Sequence, residues 1–229
     1  MKITVINGTA QRGVTYFMKE SFLEHLREGN EITEFYPQDL PPFCAGCKNC
    51  FIHDAKLCPH ASVMLPLWDT ILQSDLLVFA YPVYALRAPA SVKSLLDHLC
   101  VRWFVHRPEP AMFGKTAVII TNSIGAPNGA AQRDVKTSLN WMGVSCVHVC
   151  GMGMMGDIIM DKMSEAHRNT IKRKMERLAE KAKKPCGAMS FKVHLLFALT
   201  KFQHKMVLKS EAVPSPDNQH YIDHGWIKP

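Results

Sequence analysis

The 229-residue chain contains no apolar run of the roughly eighteen residues that a membrane-spanning helix requires. It also lacks the glycine-rich patterns G-x-G-x-x-G and G-x4-G-K-[ST], so neither a Rossmann-type dinucleotide site nor a nucleoside triphosphatase is indicated. Paired carboxylates, a Ser–His–Asp set and a two-histidine metal motif are missing as well. The lack of an acid–base set in the protein favours chemistry that is carried by a cofactor.

Negative charge is scarce in the C-terminal third. Residues 160–209 hold thirteen Lys and Arg against four Asp and Glu, in a chain whose net charge is +7. Such a surface suits an acidic partner, an anionic membrane or a phosphorylated cofactor, although a solvated helix face is the more common explanation. No groove-reading or base-stacking motif accompanies the charge, so no nucleic-acid partner is expected. The N-terminus starts with a strand-like run and shows no signal peptide, and we therefore expect a cytoplasmic protein.

Short apolar runs alternate with amphipathic stretches along most of the chain. The unbroken apolar runs predict strands at 2–6, 32–36, 75–80, 115–121 and 144–150. The stretches with helical spacing predict helices at 14–28, 61–73, 89–104, 129–142 and 160–184. Unbroken apolar strands joined by helices predict an α/β fold over residues 1–184. Its doubly wound, five-stranded parallel sheet would be covered on both faces.

Residues 185–229 are expected to form a C-terminal helical extension used for packing or oligomerisation. Within 189–208, helical spacing places five large apolar side chains on one stripe: Phe191, Leu195, Leu199, Phe202 and Met206. We expect this stripe to pack on the parent domain or on a second subunit, with a membrane surface as the minority alternative. Residues 213–229 contain prolines and an asparagine and are expected to form an irregular arm.

Four of the eight cysteines fall within fifteen residues, in the spacing C-x2-C-x2-C-x7-C. They are Cys44, Cys47, Cys50 and Cys58, and they lie in an insert at 37–60. Three thiols on a three-residue repeat can hold one face of an iron–sulfur cluster, and a fourth can close it. Disulfide-bonded or free redox-active thiols and a zinc site are the alternatives. His53 and His60 flank Cys58 and are either further ligands or ordinary loop histidines.

Three loops follow strands at the sheet edge where doubly wound folds bind their ligands. The first, 7–15, offers hydroxyls, small residues and backbone amides at a helix N-terminus, which suits a phosphate. The second, 81–85, offers two tyrosines and a proline that can wall a flat ring. The third, 121–129, is long and rich in glycine. Each loop alone is also an ordinary turn, but the three together predict a phosphate site beside a ring site.

These loops resemble those of the flavodoxin-like, NAD(P)H-dependent FMN reductase family. The family's phosphate loop, G-S-x-R-x-x-x-T, corresponds to Gly8–Thr15, its S-P-V-Y element to Tyr81–Tyr84, and its helix with L-L-D to Ala88–Asp97. The cysteine spacing is similar to that of the iron–sulfur flavoproteins within this group, which bind a [4Fe–4S] cluster close to FMN. The resemblance covers residues 1–150. It implies the strand order 2-1-3-4-5, bound FMN and a homodimer or homotetramer.

The resemblance also implies an FMN-dependent oxidoreductase. Electrons would pass from NAD(P)H or a reduced partner to a quinone-like, nitroaromatic or protein acceptor. Residues 9–15 would hold the phosphate, 82–85 the ribityl chain and ring, and 121–125 the ring edge. The implied FMN-binding residues are Thr9, Gln11, Arg12, Gly13, Val14, Thr15, Pro82, Val83, Tyr84, Ala85, Thr121, Asn122, Ser123 and Gly125. The implied [4Fe–4S] ligands are Cys44, Cys47, Cys50 and Cys58. The alternative function is a non-catalytic flavodoxin-like electron carrier or a thiol redox sensor.

Overall fold

The computed structural model describes residues 1–154 and 163–228 and has a five-stranded parallel sheet at its centre. The strands are β1 (Lys2–Asn7), β2 (Glu31–Phe35), β3 (Leu76–Pro82), β4 (Thr116–Ser123) and β5 (Cys146–Gly153). Their order across the sheet is β2-β1-β3-β4-β5, and every neighbouring pair is parallel. The predicted fold class and the strand order 2-1-3-4-5 are confirmed.

Helices cover both faces of this sheet. The helices are α1 (Val14–Leu23), α2 (Asn49–Ile52), α3 (Ala61–Gln73), α4 (Ala90–Leu99), α5 (Gly129–Trp141), α6 (Glu165–Ala182), α7 (Phe191–Leu208) and α8 (Pro216–Asp223). In the central strand β3, Phe79 packs with α3, α4 and α5, whereas its neighbour Val78 packs with α1 and α6. Because consecutive strand residues face opposite layers and both layers are apolar, β3 and β4 are hydrophobic at nearly every position.

Most predicted elements are present, with changes at their ends. The predicted helix at 61–73 matches α3 in full, whereas the one at 14–28 ends at Leu23 and the one at 89–104 ends at Leu99. A short 3-10 helix, Cys100–Arg102, follows the latter directly. The helix predicted over 160–184 starts at Glu165, where Ser164 caps it, and the prediction for 160–162 lies outside the described residues.

The C-terminal extension forms its own small apolar cluster against the main fold. Phe197 and Tyr221 of the extension pack with Phe104, and Trp226 lies against the ring of Phe113 with the centroids 6.0 Å apart. The expectation of an irregular arm over 213–229 is wrong, because this stretch contains α8. The hydroxyl of Ser215 accepts the amide of Asn218 and caps the helix, and Pro216 occupies the first turn, where its missing N–H costs nothing.

The face of α7 that packs on the fold is opposite to the predicted stripe. Val193, Phe197, Thr200 and His204 are its buried residues. The five stripe residues all remain exposed: Phe191, Leu195, Leu199, Phe202 and Met206. The expected cover by the parent domain is therefore absent among the residues that the structure describes. None of the described helices is both long enough and apolar enough to cross a bilayer.

Candidate functional site

A cleft opens at the carboxyl ends of β1, β3 and β4, where the three predicted loops meet. Its cavity volume is about 240 Å³, and it is open to solvent. Its lining residues are Thr9, Gln11, Gly13, Val14, Thr15, Pro82, Val83, Tyr84, Asn122, Ser123, Ile124 and Met154. This position is the crevice in which doubly wound sheets bind their ligands. We call it the strand-end cleft.

The first loop leaves β1 through a very close contact with β3. The amide of Gly8 donates to the carbonyl of Ala80 over 2.9 Å. A Cβ atom on Gly8 would lie 2.5 Å from Cβ of Tyr81 and 2.9 Å from Cγ2 of Val92, so only glycine fits there. The loop then enters α1 at Gly13, and no side chain caps that helix. Amides of the first turn of α1 are therefore free of a side-chain cap and are available to an anion.

A buried ion-pair network supports the start of this loop. The ammonium of Lys19 lies 2.8 Å from Glu20 and 2.5 Å from Glu34, and its side chain has no exposed surface. Asn7, the last residue of β1, donates to Glu34 over 3.1 Å. Burial opposes the charge on Lys19, but its bonds to the two carboxylates outweigh burial and raise its pKa. Burial likewise opposes ionisation of Glu34, and Lys19 and Asn7 outweigh it and lower the Glu34 pKa. The network fixes the end of β1 from which the loop departs.

The first and third loops are joined directly. The hydroxyl of Thr15, in the first turn of α1, donates to the side-chain oxygen of Asn122 on β4. The backbone carbonyl of Asn122 in turn accepts the amide of Val83 over 2.8 Å. Asn122 thus contacts both of the other loops, which sets the width of the cleft.

The second loop contains two residues in a strained backbone conformation. Ala85 and Leu86 have φ angles of 47° and 62°, in the left-handed region that side chains with a Cβ rarely adopt. Arg87 holds this turn by donating from Nε to both carboxylate oxygens of Asp134, at 3.1 and 3.0 Å, and the amide of Ala88 donates to the same carboxylate. Burial opposes ionisation of Asp134, but the Arg87 hydrogen bond outweighs it and lowers its pKa. The turn presents Tyr84 and Leu86 to solvent with more than half of each side chain exposed.

The third loop is hydrogen-bonded to the end of β5 at the base of the cleft. The amide of Met154 donates to the carbonyl of Ser123 over 2.7 Å, and the amide group of Asn128 donates to the Ser123 hydroxyl over 3.2 Å. Gly125 has a φ of 75°, which glycine adopts without strain. The loop therefore has a fixed base, while Ile124 extends into solvent and is 65% exposed.

Ten of the fourteen sequence-predicted residues line the strand-end cleft. The other four lie beside it. The guanidinium of Arg12 lies over the Tyr16 ring, 5.6 Å from its centroid, and the hydroxyl of Thr121 is buried and accepts from Gln132. Ala85 and Gly125 belong to the adjoining turns. Sequence analysis missed Ile124 and Met154, although Ile124 lies inside the predicted third loop and only Met154, beyond β5, gave no signal.

The four clustered cysteines line a second cavity, together with residues of α3 and α4. Cys44 and Cys47 are exposed, and Cys50 and Cys58 are half-buried. Burial raises the pKa of the Cys50 thiol, and the nearby thiols of Cys58, Cys44 and Cys47 raise it further. The structure thus places all four cysteines along one cavity, which we call the cysteine cavity.

Arg107 holds the chain that carries these cysteines. Its guanidinium donates to the backbone carbonyls of Cys50, Phe51 and His53, and its Nε donates to Asp217 of α8 over 2.9 Å. At the other end of the segment, the hydroxyl of Ser94 on α4 donates to the carbonyls of Pro41 and Pro42. The cysteine-bearing loop is therefore anchored to the main fold and to the C-terminal extension.

Two histidines lie against Cys58. One nitrogen each of His60 and His98 and the sulfur of Cys58 all lie within 4.8 Å of one another, and the two ring nitrogens are 2.9 Å apart. The other ring nitrogen of His98 is 2.9 Å from the carbonyl of Ser94, a contact that requires this nitrogen to carry the proton. The remaining nitrogen of His98 therefore offers a lone pair on the side of Cys58. Sequence analysis named His60 but not His98, which the fold brings from 38 residues away.

The fold and the strand-end cleft define a flavodoxin-like α/β protein in which a loop leads into an uncapped helix beside a walled groove. The sequence matches the family model described as NADPH-dependent FMN reductase over residues 1–152, so the chain belongs to that family. The resemblance predicted from the loops is confirmed, and so is the class of enzyme, an NAD(P)H-dependent FMN reductase.

Two curated relatives are similar to the chain. An iron-sulfur flavoprotein of Methanosarcina thermophila is 25% identical over 195 residues, which cover 82% of this chain and 95% of the relative. The FMN-dependent NADH:quinone oxidoreductase 2 of Pseudomonas putida is 28% identical over 103 residues, which cover 40% of this chain. The chain matches only about half of the length of that second relative (52%).

Solved structures agree on the fold. An azoreductase from Bacillus anthracis superposes with a TM-score of 0.63 at 15% identity, and covers 79% of this chain and 99% of its own. An NAD(P)H:quinone oxidoreductase from Methanothermobacter marburgensis gives 0.62 at 17% identity, with 80% and 98% covered. At such identities the likeness establishes the architecture alone.

Proposed function

We propose that the protein binds FMN in the strand-end cleft and uses it to pass electrons from NAD(P)H to an acceptor. The observation that carries this proposal is the uncapped N-terminus of α1 at the mouth of a cleft walled by Pro82, Val83 and Tyr84. The uncapped helix end suits an anionic phosphate, and the wall of the cleft suits a flat ring. The donor set fits the cofactor, because it combines hydroxyls, amides and an apolar wall without a carboxylate among the lining residues.

Each loop would have a separate task. Backbone amides of residues 9–15 and the hydroxyls of Thr9 and Thr15 would hold the phosphate. Residues 82–85 would flank the ribityl chain and one face of the ring. Residues 121–125 would supply hydrogen bonds to the ring edge. Bound FMN supplies hydride and electron transfer, and the protein supplies position and exclusion of water.

The acceptor that we propose is a quinone-like or nitroaromatic molecule, or a protein. Support comes from the relatives, two of which are NADH- or NAD(P)H-dependent quinone oxidoreductases by name. The exposed Tyr84, Leu86 and Ile124 around the cleft would offer a flat acceptor an apolar place to stack.

Anaerobic titration and turnover test this proposal. The purified chain should quench FMN fluorescence at one site per chain. The complex should then oxidise NADH or NADPH with menadione as the acceptor. FMN binding with no consumption of either nucleotide would instead support the alternative, a flavodoxin-like electron carrier or thiol redox sensor. Failure to bind FMN would contradict both.

We further propose that Cys44, Cys47, Cys50 and Cys58 hold a [4Fe–4S] cluster in the cysteine cavity. The support is that all four thiols line one cavity and that a relative over most of the chain is an iron-sulfur flavoprotein. Four thiolates are the usual ligand set of such a cluster. The guanidinium of Arg102 also lines this cavity and would offset part of the negative charge of a cluster.

Iron and sulfide analysis of anaerobically purified protein tests the cluster. Cys58→Ser should lower both contents, while Cys150→Ser, a change on β5 outside the cavity, should leave them unaltered. Zinc without sulfide would contradict the cluster and would assign Cys58, His60 and His98 as ligands, because their donor atoms lie within 4.8 Å of one another. Protein free of any metal would leave redox-active thiols as the function of the quartet.

A further inference from the structure

Helix α7 has two apolar faces, and only one of them is used by the fold. Val193 and Phe197 pack into the cluster with Phe104 and Tyr221. On the opposite side, Phe191 is 84% exposed and Phe202 is 64% exposed. Leu195, Leu199 and Met206 lie on the same side and are also exposed. A continuous row of large apolar side chains along about four helical turns exceeds the scattered exposure that is normal on a protein surface.

Basic side chains border this row, and α7 itself contains no acidic residue. Lys192, Lys201, Lys205 and Lys209 all lie on α7 or at its end. From Lys181 to Ser210 the sequence contains no Asp or Glu. At 100° per residue, Lys205 borders the row on one side and Lys192 on the other. Lys201 lies nearer the packed face, with its ammonium 4.9 Å from the centre of the Phe197 ring. The exposed face of α7 is thus an apolar stripe between two cationic borders.

Charge decides which occupant suits this face. A second copy of the same face would bring lysines against lysines, and like charges at an interface disfavour association. The matching surface needs an apolar interior to bury the stripe and negative charge at its edge to pair with the lysines. An anionic lipid bilayer has this composition, since acyl chains lie beneath acidic headgroups and lysine stems can reach up to the headgroups.

We propose that α7 docks on the surface of an anionic lipid bilayer. The helix lies in the plane of the interface with Phe191, Leu195, Leu199, Phe202 and Met206 directed toward the acyl chains. Lys192 and Lys205 contact the acidic headgroups. The rest of the fold stays outside the bilayer, because the opposite face of α7 is occupied by Val193, Phe197, Thr200 and His204. The protein is held to the surface without being embedded.

Co-sedimentation of the full FMN-loaded chain with vesicles tests the proposal. The chain should sediment with phosphatidylcholine vesicles that contain phosphatidylglycerol, and it should remain in solution with phosphatidylcholine alone. Phe202→Ser should lower the partition coefficient about tenfold, since the ring no longer enters the interface. Lys205→Gln should lower it about fivefold, and added salt should lower it for the parent chain as well.

Matched controls separate vesicle binding through the stripe from nonspecific adsorption of the protein. Val213→Ser removes an apolar side chain that is 79% exposed but lies off α7, and Lys172→Gln removes a charge from α6. Both should sediment like the parent chain. Equal partition to neutral and anionic vesicles, or no partition to either, would overturn the proposal. A dimer in sedimentation velocity that Phe202→Ser converts to monomer would also overturn it, because the stripe would then be covered by a second copy.

Discussion

Arg107 donates from Nε to Oδ1 of Asp217 over 2.9 Å, and the same guanidinium binds backbone carbonyls of the cysteine-bearing loop. One side chain therefore connects the cysteine cavity with α8. His106 reinforces the connection, since its Nδ1 lies 2.7 Å from the other oxygen of Asp217. The extension is consequently part of what positions the cysteines, and it is more than an appended helix pair.

Replacing Arg107 by methionine should destabilise the fold by about 2–4 kcal/mol. The change leaves three carbonyls without their donor and a partly buried carboxylate without its cation. In metal-free protein the released loop should also let iodoacetamide alkylate Cys50 faster. Chemical unfolding and timed alkylation measure the two effects. Arg173→Met, an exposed change on α6, is the control, and alkylation at the parent rate in Arg107→Met would show that the contact does not hold the loop.

Gly8→Ala should cost about 1–3 kcal/mol of stability and weaken FMN binding. A methyl group at this position meets Cβ of Tyr81 at 2.5 Å, and neither neighbour can yield without moving β3 or α4. Denaturant unfolding and FMN titration give the two values. Gly114→Ala is a matched control, because nothing lies within 4 Å of its Cβ position. Equal stability of the two variants would refute the close contact.

Thr15→Val should raise the dissociation constant for FMN about tenfold. The substitution keeps the side-chain shape but removes the hydroxyl, whose one proton is donated to Asn122 in the cofactor-free structure and would turn to the phosphate when FMN binds. FMN fluorescence quenching measures the change. Thr70→Val is the comparison, since that hydroxyl lies away from the cleft and donates to the carbonyl of Pro66 in its own helix. An unchanged affinity would remove Thr15 from the site.

Lys19→Met should cost about 3–5 kcal/mol near neutral pH, because it leaves Glu34 partly buried without its cation. The direction in which pH changes this stabilisation follows from the two pKa shifts. The Glu34 pKa is lowered, so its contribution is present above its ordinary value of 4.5 and is lost as pH falls below it. The Lys19 pKa is raised, so its contribution is present below its ordinary value of 10.5 and is lost as pH rises through the folded-state pKa.

Unfolding free energies of the parent chain and Lys19→Met across this range test the pair. The difference in unfolding free energy should be largest between pH 4.5 and pH 10.5, the ordinary pKa values of the two groups, and should shrink below and above this range. Lys172→Gln, on the surface of α6, should run parallel to the parent chain at every pH. A difference between Lys19→Met and the parent chain that does not vary with pH would show that Lys19 acts through packing and not through its charge.

The sheet was predictable from sequence because burial on both faces leaves a strong local signal. Every residue from Leu76 to Tyr81 is buried, and an unbroken apolar run of this length is typical of a strand that is covered on both sides. Helix α8 was missed because its composition is rich in turn formers, and its start depends on a single serine cap and a proline. Tyr221 stabilises it from within the fold, by donating to the carbonyl of Phe104, 117 residues away.

The sequence predicted the lining of the strand-end cleft better than that of the cysteine cavity. Each loop of the strand-end cleft is one unbroken stretch of sequence, so its residue types could be recognised together. The role of His98 could not be predicted in this way, since its position against His60 depends on the packing of α4 beside the cysteine loop. The stripe on α7 was found by periodicity, but α7 is apolar on both sides, and periodicity alone could not choose which side would be buried.

The contact between Arg107 and Asp217 also fixes the order of events during synthesis. Asp217 leaves the ribosome 110 residues after Arg107, which is roughly 5–20 s later at ordinary rates of translation. Until then the loop that carries Cys50 lacks the anchor that α8 provides. The fully anchored form of the cysteine cavity therefore requires α8 to have been made, long after the cysteines themselves.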